Sequence, residues 1–277
     1  MTDRSISPHV ARIRVYPVKS LDPLERARTT VRPDGGLGVD RSYAVVDADG
    51  EYVNGKREAA VHRIDATYAD DGDTLVLRDR DGERDAESFR LADADDREGA
   101  AAWLADHYGY DVAFEHAERG GYPDDTTASG PTVISTATLR EVGSWFDLPI
   151  GEVRRRFRPN LEIGGVPAFW EDRLYADREH TVRVRVGDAV FEGTNPCSRC
   201  VVPTRDSRTG ERDPDFQRTF VEKREATLPA WADESWYGRG YYQLMVNTAV
   251  PEETTGATLS VGDPVEVLGV SEGNPQG

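Results

Sequence analysis

The chain has 277 residues, with 51 acidic against 34 basic side chains, a formal net charge of −17 and a hydrophobic fraction of 38%. That length fits one large domain or two interlocked ones, and acid spread along the whole chain repels nucleic acid and anionic membranes. No run of about eighteen apolar residues could cross a bilayer, and MTDRSISPHVARIRV lacks an apolar signal core, so a cytoplasmic protein is expected.

In residues 9–18, Val10, Ile13, Val15 and Val18 carry the pattern of a half-buried strand. Pro17, Lys19 and Ser20 then put a cation and a hydroxyl at the turn that ends it. Residues 24–31 read as a second strand, and Pro33, Asp34, Gly35 and Gly36 as a turn. A buried strand is expected at Ser42–Asp47, with Asp49 and Gly50 turning it back toward Tyr52 and Val53. Further strands are expected at 65–69 and 74–78. Residues 97–108 are rich in helix formers and stop at Gly109, before a short strand at 112–115. The polar stretch 117–131 is the expected domain boundary. It divides the chain into residues 1–122, residues 123–270 and a flexible tail at 271–277.

Val133–Ser135 reads as a strand, and Thr136–Phe146 as a helix capped by Ser135 or Thr136 with Leu139, Val142 and Phe146 on one face. Arg154–Arg158 leads through Pro159 and Asn160 into a strand at 161–163. Val182–Val186 and Ala189–Phe191 form a hairpin about Gly187 and Asp188. Residues 205–240 are charged and irregular, with a short helix at 216–224. Strands at 241–247 and 258–268 finish the chain, the latter broken by the turn at Val261–Pro264. Many short strands with few helices make a mainly β, α+β architecture of barrels or sandwiches, not a doubly wound sheet.

Four groups of residues could carry chemistry. Both cysteines fall in Asn195–Cys200, as Cys197 and Cys200. Structural zinc wants four ligands, and His180 is the sole histidine after position 116. A redox pair wants a helix N-terminus in a βαβ setting; here Val201, Val202 and Pro203 follow. Two small packing residues, or one thiolate on a soft metal, stay open. Second, Pro159 pushes Arg158 toward an extended conformation, and Arg158 with Asn160 could grip a phosphate or a heterocycle edge. Arg154 and Arg155 read as a solvated basic turn. Third, Lys19, Ser20 and Arg41 invite an anion, because only three of the 34 basic residues are lysine. Fourth, the hydroxyl-rich run 126–132 offers backbone amides and hydroxyls that can wrap a phosphate. No GxxxxGK[ST], GxGxxG, GxSxG or HExxH motif has a fitting context, which removes support from nucleotide hydrolysis, dinucleotide binding and serine hydrolysis. High acid with low lysine also matches proteins of salt-loving microbes.

Taken in order, YPVKS (16–20), GVDRSYAVVDADG (38–50), RFRPNLEI (156–163), NPCSRCVVPTRDSRTGE (195–211) and VGDPV (261–265) resemble the MOSC family with its N-terminal β-barrel-like partner domain. That family includes amidoxime-reducing molybdenum enzymes and bacterial reductases of N-hydroxylated compounds. The resemblance implies an N-terminal β-barrel-like domain followed by a MOSC β-barrel, with a molybdenum cofactor of the molybdopterin type between them. It implies Cys200 as the metal ligand and catalytic centre, and Ser198, Arg199 and Thr204 near cofactor and metal. Arg158 and Asn160 would bind the pterin, Lys19, Ser20 and Arg41 would reach over from the first domain, and Ser129, Gly130 and Thr132 would line the pocket. Cys197 would be a packing residue. The implied reaction is a two-electron reduction of a small N-hydroxylated or N-oxide compound. The pyridoxal-phosphate domain of the family's sulfurases is not expected within these 277 residues. The chain also has no cysteine cluster after Leu268, so a separate electron donor is expected: a ferredoxin, a flavoprotein or a b-type cytochrome. Residues 223–240 depart from the family pattern. A non-catalytic cofactor carrier, a sulfur-transfer protein with a persulfide on Cys200, and a thiol redox module are the competing functions.

Overall fold

In chain order the first half holds β1 (His9–Val15), β2 (Leu24–Arg26), β3 (Arg28–Thr30), β4 (Tyr43–Asp47), β5 (Ile64–Tyr68), β6 (Thr74–Asp79), β7 (Glu87–Arg90), α1 (Ala94–Tyr108) and β8 (Val112–His116). The second half holds β9 (Val133–Ser135), α2 (Thr136–Phe146), α3 (Ile150–Phe157), β10 (Leu161–Gly164), β11 (His180–Val186), β12 (Ala189–Ser198), α4 (Phe216–Thr227), β13 (Gln243–Ala249), β14 (Thr258–Ser260) and β15 (Val265–Glu272). The structure is a computed structural model and describes residues 7–273 apart from 83, 126 and 239. Strands dominate and helices are few, the α+β class expected.

Eight strands form one sheet in the order β15-β11-β12-β13-β9-β10-β1-β2. Six of them come from the second half, and β1 and β2 complete the sheet from the first. β1 owes this place to its apolar spacing. Val10, Ile13 and Val15 are all buried, and the odd three-residue step from Val10 to Ile13 coincides with a register shift against β10 between Val10 and Arg12. A bulge adds the extra residue that keeps both sides of the step facing the core. β3 pairs with β14, tying the chain's two ends together. The first half keeps its own small sheets, β5-β6-β7 and β4-β8, around a core of Val18, Leu75, Leu77, Leu91, Trp103 and Leu104.

Helix ends follow the sequence chemistry. Asp93 accepts from the backbone N–H groups of Asp95 and Asp96, so α1 begins three residues before the expected start. It ends on Gly109 in the left-handed region, φ 80°. Ser135 caps α2 through Thr138 N, as expected.

Several expectations change. Residues 24–31 are two strands, one on the main sheet and one on β14. Tyr52 forms only an isolated bridge to Val46. The arginine run is not a solvated turn but the last turn of α3. Arg154 pairs with buried Glu162 at 2.6 Å, and Arg155 and Arg156 hold Glu152 at 2.8 and 2.7 Å. These carboxylates come from β10 and from one turn back on α3, positions that charge counting cannot locate. Arg158 is not extended either: it closes α3 in the left-handed region, φ 56°, where its N–H reaches Arg154 O at 2.9 Å. Ser271 and Glu272, expected to begin a tail, pair with Thr181 and His180; residues 274–277 lie outside the described residues. Among the described residues no helix is long and apolar enough to cross a membrane.

Candidate functional site

A cavity of about 710 Å³ opens between the first-half sheets and the main sheet. Lys19, Ser20, Arg41, Ser129, Gly130, Thr132, Arg158, Asn160, Ser198, Arg199 and Cys200 all line it, drawn together from five separate stretches of chain. Thr204 does not line it. That residue is buried, and its hydroxyl donates to Val201 O at 2.7 Å.

The first wall is built where the chain leaves β1. Lys19 N donates to Tyr43 O, and Ser20 takes φ 77°, which turns the pair inward. Lys19 Nζ then donates to Tyr122 O at 2.9 Å, Pro123 O at 3.3 Å and Asp124 Oδ1 at 2.9 Å. Burial pulls the ammonium pKa down, opposed by Asp124. Arg41, at φ 50°, has its backbone N–H on Tyr16 O at 2.7 Å. Its guanidinium pairs with Asp40, lies 3.7 Å from Asp124 and sits 5.3 Å from the Tyr16 ring centre. Burial opposes the Arg41 charge, yet the two carboxylates hold its pKa above the ordinary value.

The floor joins the two halves. Asn160 is buried and its amide is fully used: Nδ2 donates to Arg14 O at 3.0 Å and Asp40 Oδ1 at 3.3 Å, and Oδ1 accepts from Thr132 N and Oγ1, both at 3.3 Å. Ser129 Oγ donates to Asp34 O at 2.8 Å. Gly130 donates to Thr248 O, and a Cβ there would come within 2.6 Å of that same oxygen, so the close approach needs glycine.

The opposite wall carries the thiols. Arg158 Nη2 donates to Leu21 O at 2.7 Å, and the guanidinium lies 4.1 Å over the Tyr16 ring. Arg199 Nη1 donates to Cys197 Sγ at 3.0 Å and Nη2 to Phe157 O at 3.1 Å. Its Nε is buried with no partner among the described residues. Burial opposes the Arg199 charge, but the two cysteines raise its pKa. Cys197 and Cys200 are free, half-buried and both line the cavity. Cys197 therefore does more than pack: it presents sulfur to Arg199.

Backbone strain marks the same place. Six non-glycine residues with positive φ are described, and Ser20, Arg41, Arg158 and Met245 among them line this cavity. Strained conformations persist where surrounding structure over-determines them, and they gather at functional sites. Met245 was not foreseeable, since nothing in a strand sequence flags φ 73°. Lys56 and His62 were also missed. Lys56 had a signal, being one of three lysines in the chain. In all, eight lysine and arginine side chains but only four carboxylates line the cavity, in a chain of net charge −17. Lys19, Arg32, Arg41, Arg80 and Arg155 are already ion-paired, so Lys56, Arg158 and Arg199 are the lining cations without a carboxylate partner among the described residues and the ones that attract an anion.

A MOSC N-terminal beta barrel domain matches residues 7–119, and a MOSC domain matches residues 132–266. The molybdenum cofactor sulfurase of Drosophila grimshawi is 24% identical over 296 residues, covering 96% of this chain and 35% of that protein. The mitochondrial amidoxime-reducing component 1 of Homo sapiens is 25% identical over 301 residues, covering 94% of this chain and 83% of that protein. The chain thus spans 35% of the sulfurase but most of the amidoxime-reducing component. The YUAD protein from Bacillus subtilis, of known crystal structure, aligns over 95% of this chain and 96% of its own with 10% identity and a TM-score of 0.40.

Proposed function

The chain belongs to the MOSC family, and on that premise we propose that its cavity holds a molybdenum cofactor with Cys200 as protein ligand, and that the protein reduces N-hydroxylated or N-oxide compounds. One observation carries the reading: an acidic chain gathers both of its thiols around one cavity, beside the guanidinium groups of Arg158 and Arg199, which have no carboxylate partner among the described residues. A phosphate-ended dithiolene carrier of a soft metal asks for both.

The residues present fit such a group. Arg199 keeps a buried, unpartnered Nε, and an unpaired guanidinium N–H is satisfied best by an anion. Among the described residues, no group of three or more His, Cys, Asp or Glu side chains is placed to hold a metal ion. A metal at Cys200 would therefore take its other ligands from a small-molecule carrier. When bound, the cofactor supplies the two-electron redox chemistry by which an N–OH or N-oxide oxygen leaves as water. The chain's own work is to bind and orient. Arg199 and Ser198 would flank the ligand position, Arg158 and the 129–132 floor would hold the pterin, and Lys19, Ser20 and Arg41 would hold the phosphate end. Electrons would come from a separate donor protein.

The test is elemental and pterin analysis of protein made in a cofactor-competent host, followed by benzamidoxime reduction with an artificial donor. Molybdenum and pterin near one per chain, with Cys200→Ala cutting activity by at least about 100-fold and Cys197→Ser keeping most of it, is the expected result. Equal dependence on both cysteines, with no pterin, would sink the reading. Because both thiols face one cavity and sulfurases are among the relatives, a persulfide on Cys200 by mass spectrometry would favour sulfur transfer instead.

A further inference from the structure

The cations of the first wall already hold an anion, and it belongs to the chain. Lys19 Nζ lies 2.9 Å from Asp124 Oδ1, and Arg41 Nη2 lies 3.7 Å from Asp124 Oδ2. The three partners differ in freedom. The Lys19 and Arg41 side chains are 11% and 14% exposed, whereas that of Asp124 is 61% exposed. Lys19 is also held by the carbonyls of Tyr122 and Pro123, and Arg41 by Asp40. The Asp124 carboxylate has no other hydrogen bond or ion pair among the described residues. The backbone before it is pinned independently: Gly120 N donates to Asp34 Oδ2 at 2.7 Å, and Tyr122 N donates to Arg41 O at 2.8 Å. Asp124 can therefore turn out into the cavity mouth by rotating its side chain, without unfastening the segment. Asp125 differs, because its carboxylate accepts from Thr127 N, Ala128 N and Asn247 Nδ2 and so has a structural task.

We propose that Asp124 is an exchangeable internal anion: its carboxylate occupies the Lys19–Arg41 pair until the phosphate group of a ligand takes its place, and so it sets the affinity of that subsite. A carboxylate and a phosphate cannot share the pair without like-charge repulsion. Exchange leaves both cations satisfied in either state, so the empty site does not expose two half-buried charges. The proposal rests on reading the cavity as the site of a phosphate-bearing ligand, but its test needs neither metal nor pterin.

Inorganic phosphate is titrated into cofactor-free, full-length protein by calorimetry, using wild type, Asp124→Asn, Asp125→Asn, Lys19→Gln and the Lys19→Gln/Asp124→Asn double variant. Asp124→Asn should bind phosphate about tenfold tighter than wild type, the size expected from removing one like charge at contact distance in a partly solvated site. In the Lys19→Gln background that gain should shrink to about threefold or less, and Asp125→Asn should give no comparable gain. The proposal fails if Asp124→Asn binds phosphate no better than wild type, or if no variant binds it. It fails equally if Asp125→Asn matches the Asp124→Asn gain, or if the gain is undiminished without Lys19, since the carboxylate would then act only through the general field. Phosphate results as expected in a chain that never acquires molybdenum or pterin would keep this inference and overturn the cofactor reading. A loaded, active enzyme in which Asp124→Asn changes nothing would do the reverse.

Discussion

The two walls of the cavity carry the same charges in opposite states. On the first wall, Lys19 and Arg41 are matched with carboxylates, Asp124 and Asp40. On the second, Arg158 and Arg199 have no carboxylate within ion-pair distance among the described residues. They rest on carbonyls, ring faces and the Cys197 sulfur. Carbonyl oxygens and rings orient a guanidinium without cancelling its charge. The second wall is therefore set for an external anion in advance, while the first must give up an internal one. The difference shows that counting cations around a cavity overstates its appetite for anions unless each cation's existing partner is counted too.

The largest effect expected is on the brace behind the second wall. Glu152 accepts from Arg156 Nε at 2.7 Å, Arg155 Nη2 at 2.8 Å, Ser207 N at 3.0 Å and Ser207 Oγ at 2.6 Å. Burial works against its charge, but these donors outweigh it and bring its pKa down from 4.5 to about 2. A depressed carboxylate pKa stabilises the fold above the unfolded value and loses that contribution as pH falls toward the folded one. Glu152→Gln should thus lower unfolding free energy by about 3 kcal/mol at pH 7. The gap between variant and wild type should close as pH drops from 4.5 to about 2, read by urea denaturation at several pH values. An unchanging gap would mean that Glu152 only fills space.

Next comes the comparison of walls itself. Arg199→Leu should lower retention of the pterin cofactor by about 10- to 100-fold, read by pterin analysis of the purified protein, because it removes charge-assisted donors that no carboxylate had claimed. Lys19→Gln should lower that retention by only about three- to tenfold, since the lysine's loss also frees Asp124. Equal effects would erase the distinction between the walls. Between these in size lies the joint: Asn160→Ala should cost about 1–2 kcal/mol in a denaturant midpoint, from the lost bonds to Arg14 O, Asp40 and Thr132. A change within error would mean that the halves are held together by apolar packing alone.

Much of this molecule was legible in advance. Apolar patterning and turn residues located β1, β4, β5, β6 and the β11–β12 hairpin, and Gly109 and Ser135 marked helix ends through chemistry confined to a few neighbours. The residue types needed for a phosphate and a soft metal stood out because lysine and cysteine are scarce here. α3 was hidden because its arginines look like a solvated run until Glu152 and Glu162 are seen beside them. Arg158 was misread because the bias from Pro159 is local, whereas closing α3 and reaching Leu21 O and Tyr16 are demands from elsewhere in the fold.

The sequence by itself determined the class of fold, the scarcity of thiols and lysines, and which stretches carry chemistry, because each depends on composition or on residues within a turn of one another. Only the tertiary structure decided which of those groups meet and in what state. Arg158 joins Leu21 across 137 positions, and Lys19 joins Asp124 across 105. Such contacts are fixed by the bulged register of β1 against β10 and by the path of residues 117–125. They depend on the whole sheet being assembled, so no local pattern could show that a carboxylate already sits where a phosphate is expected.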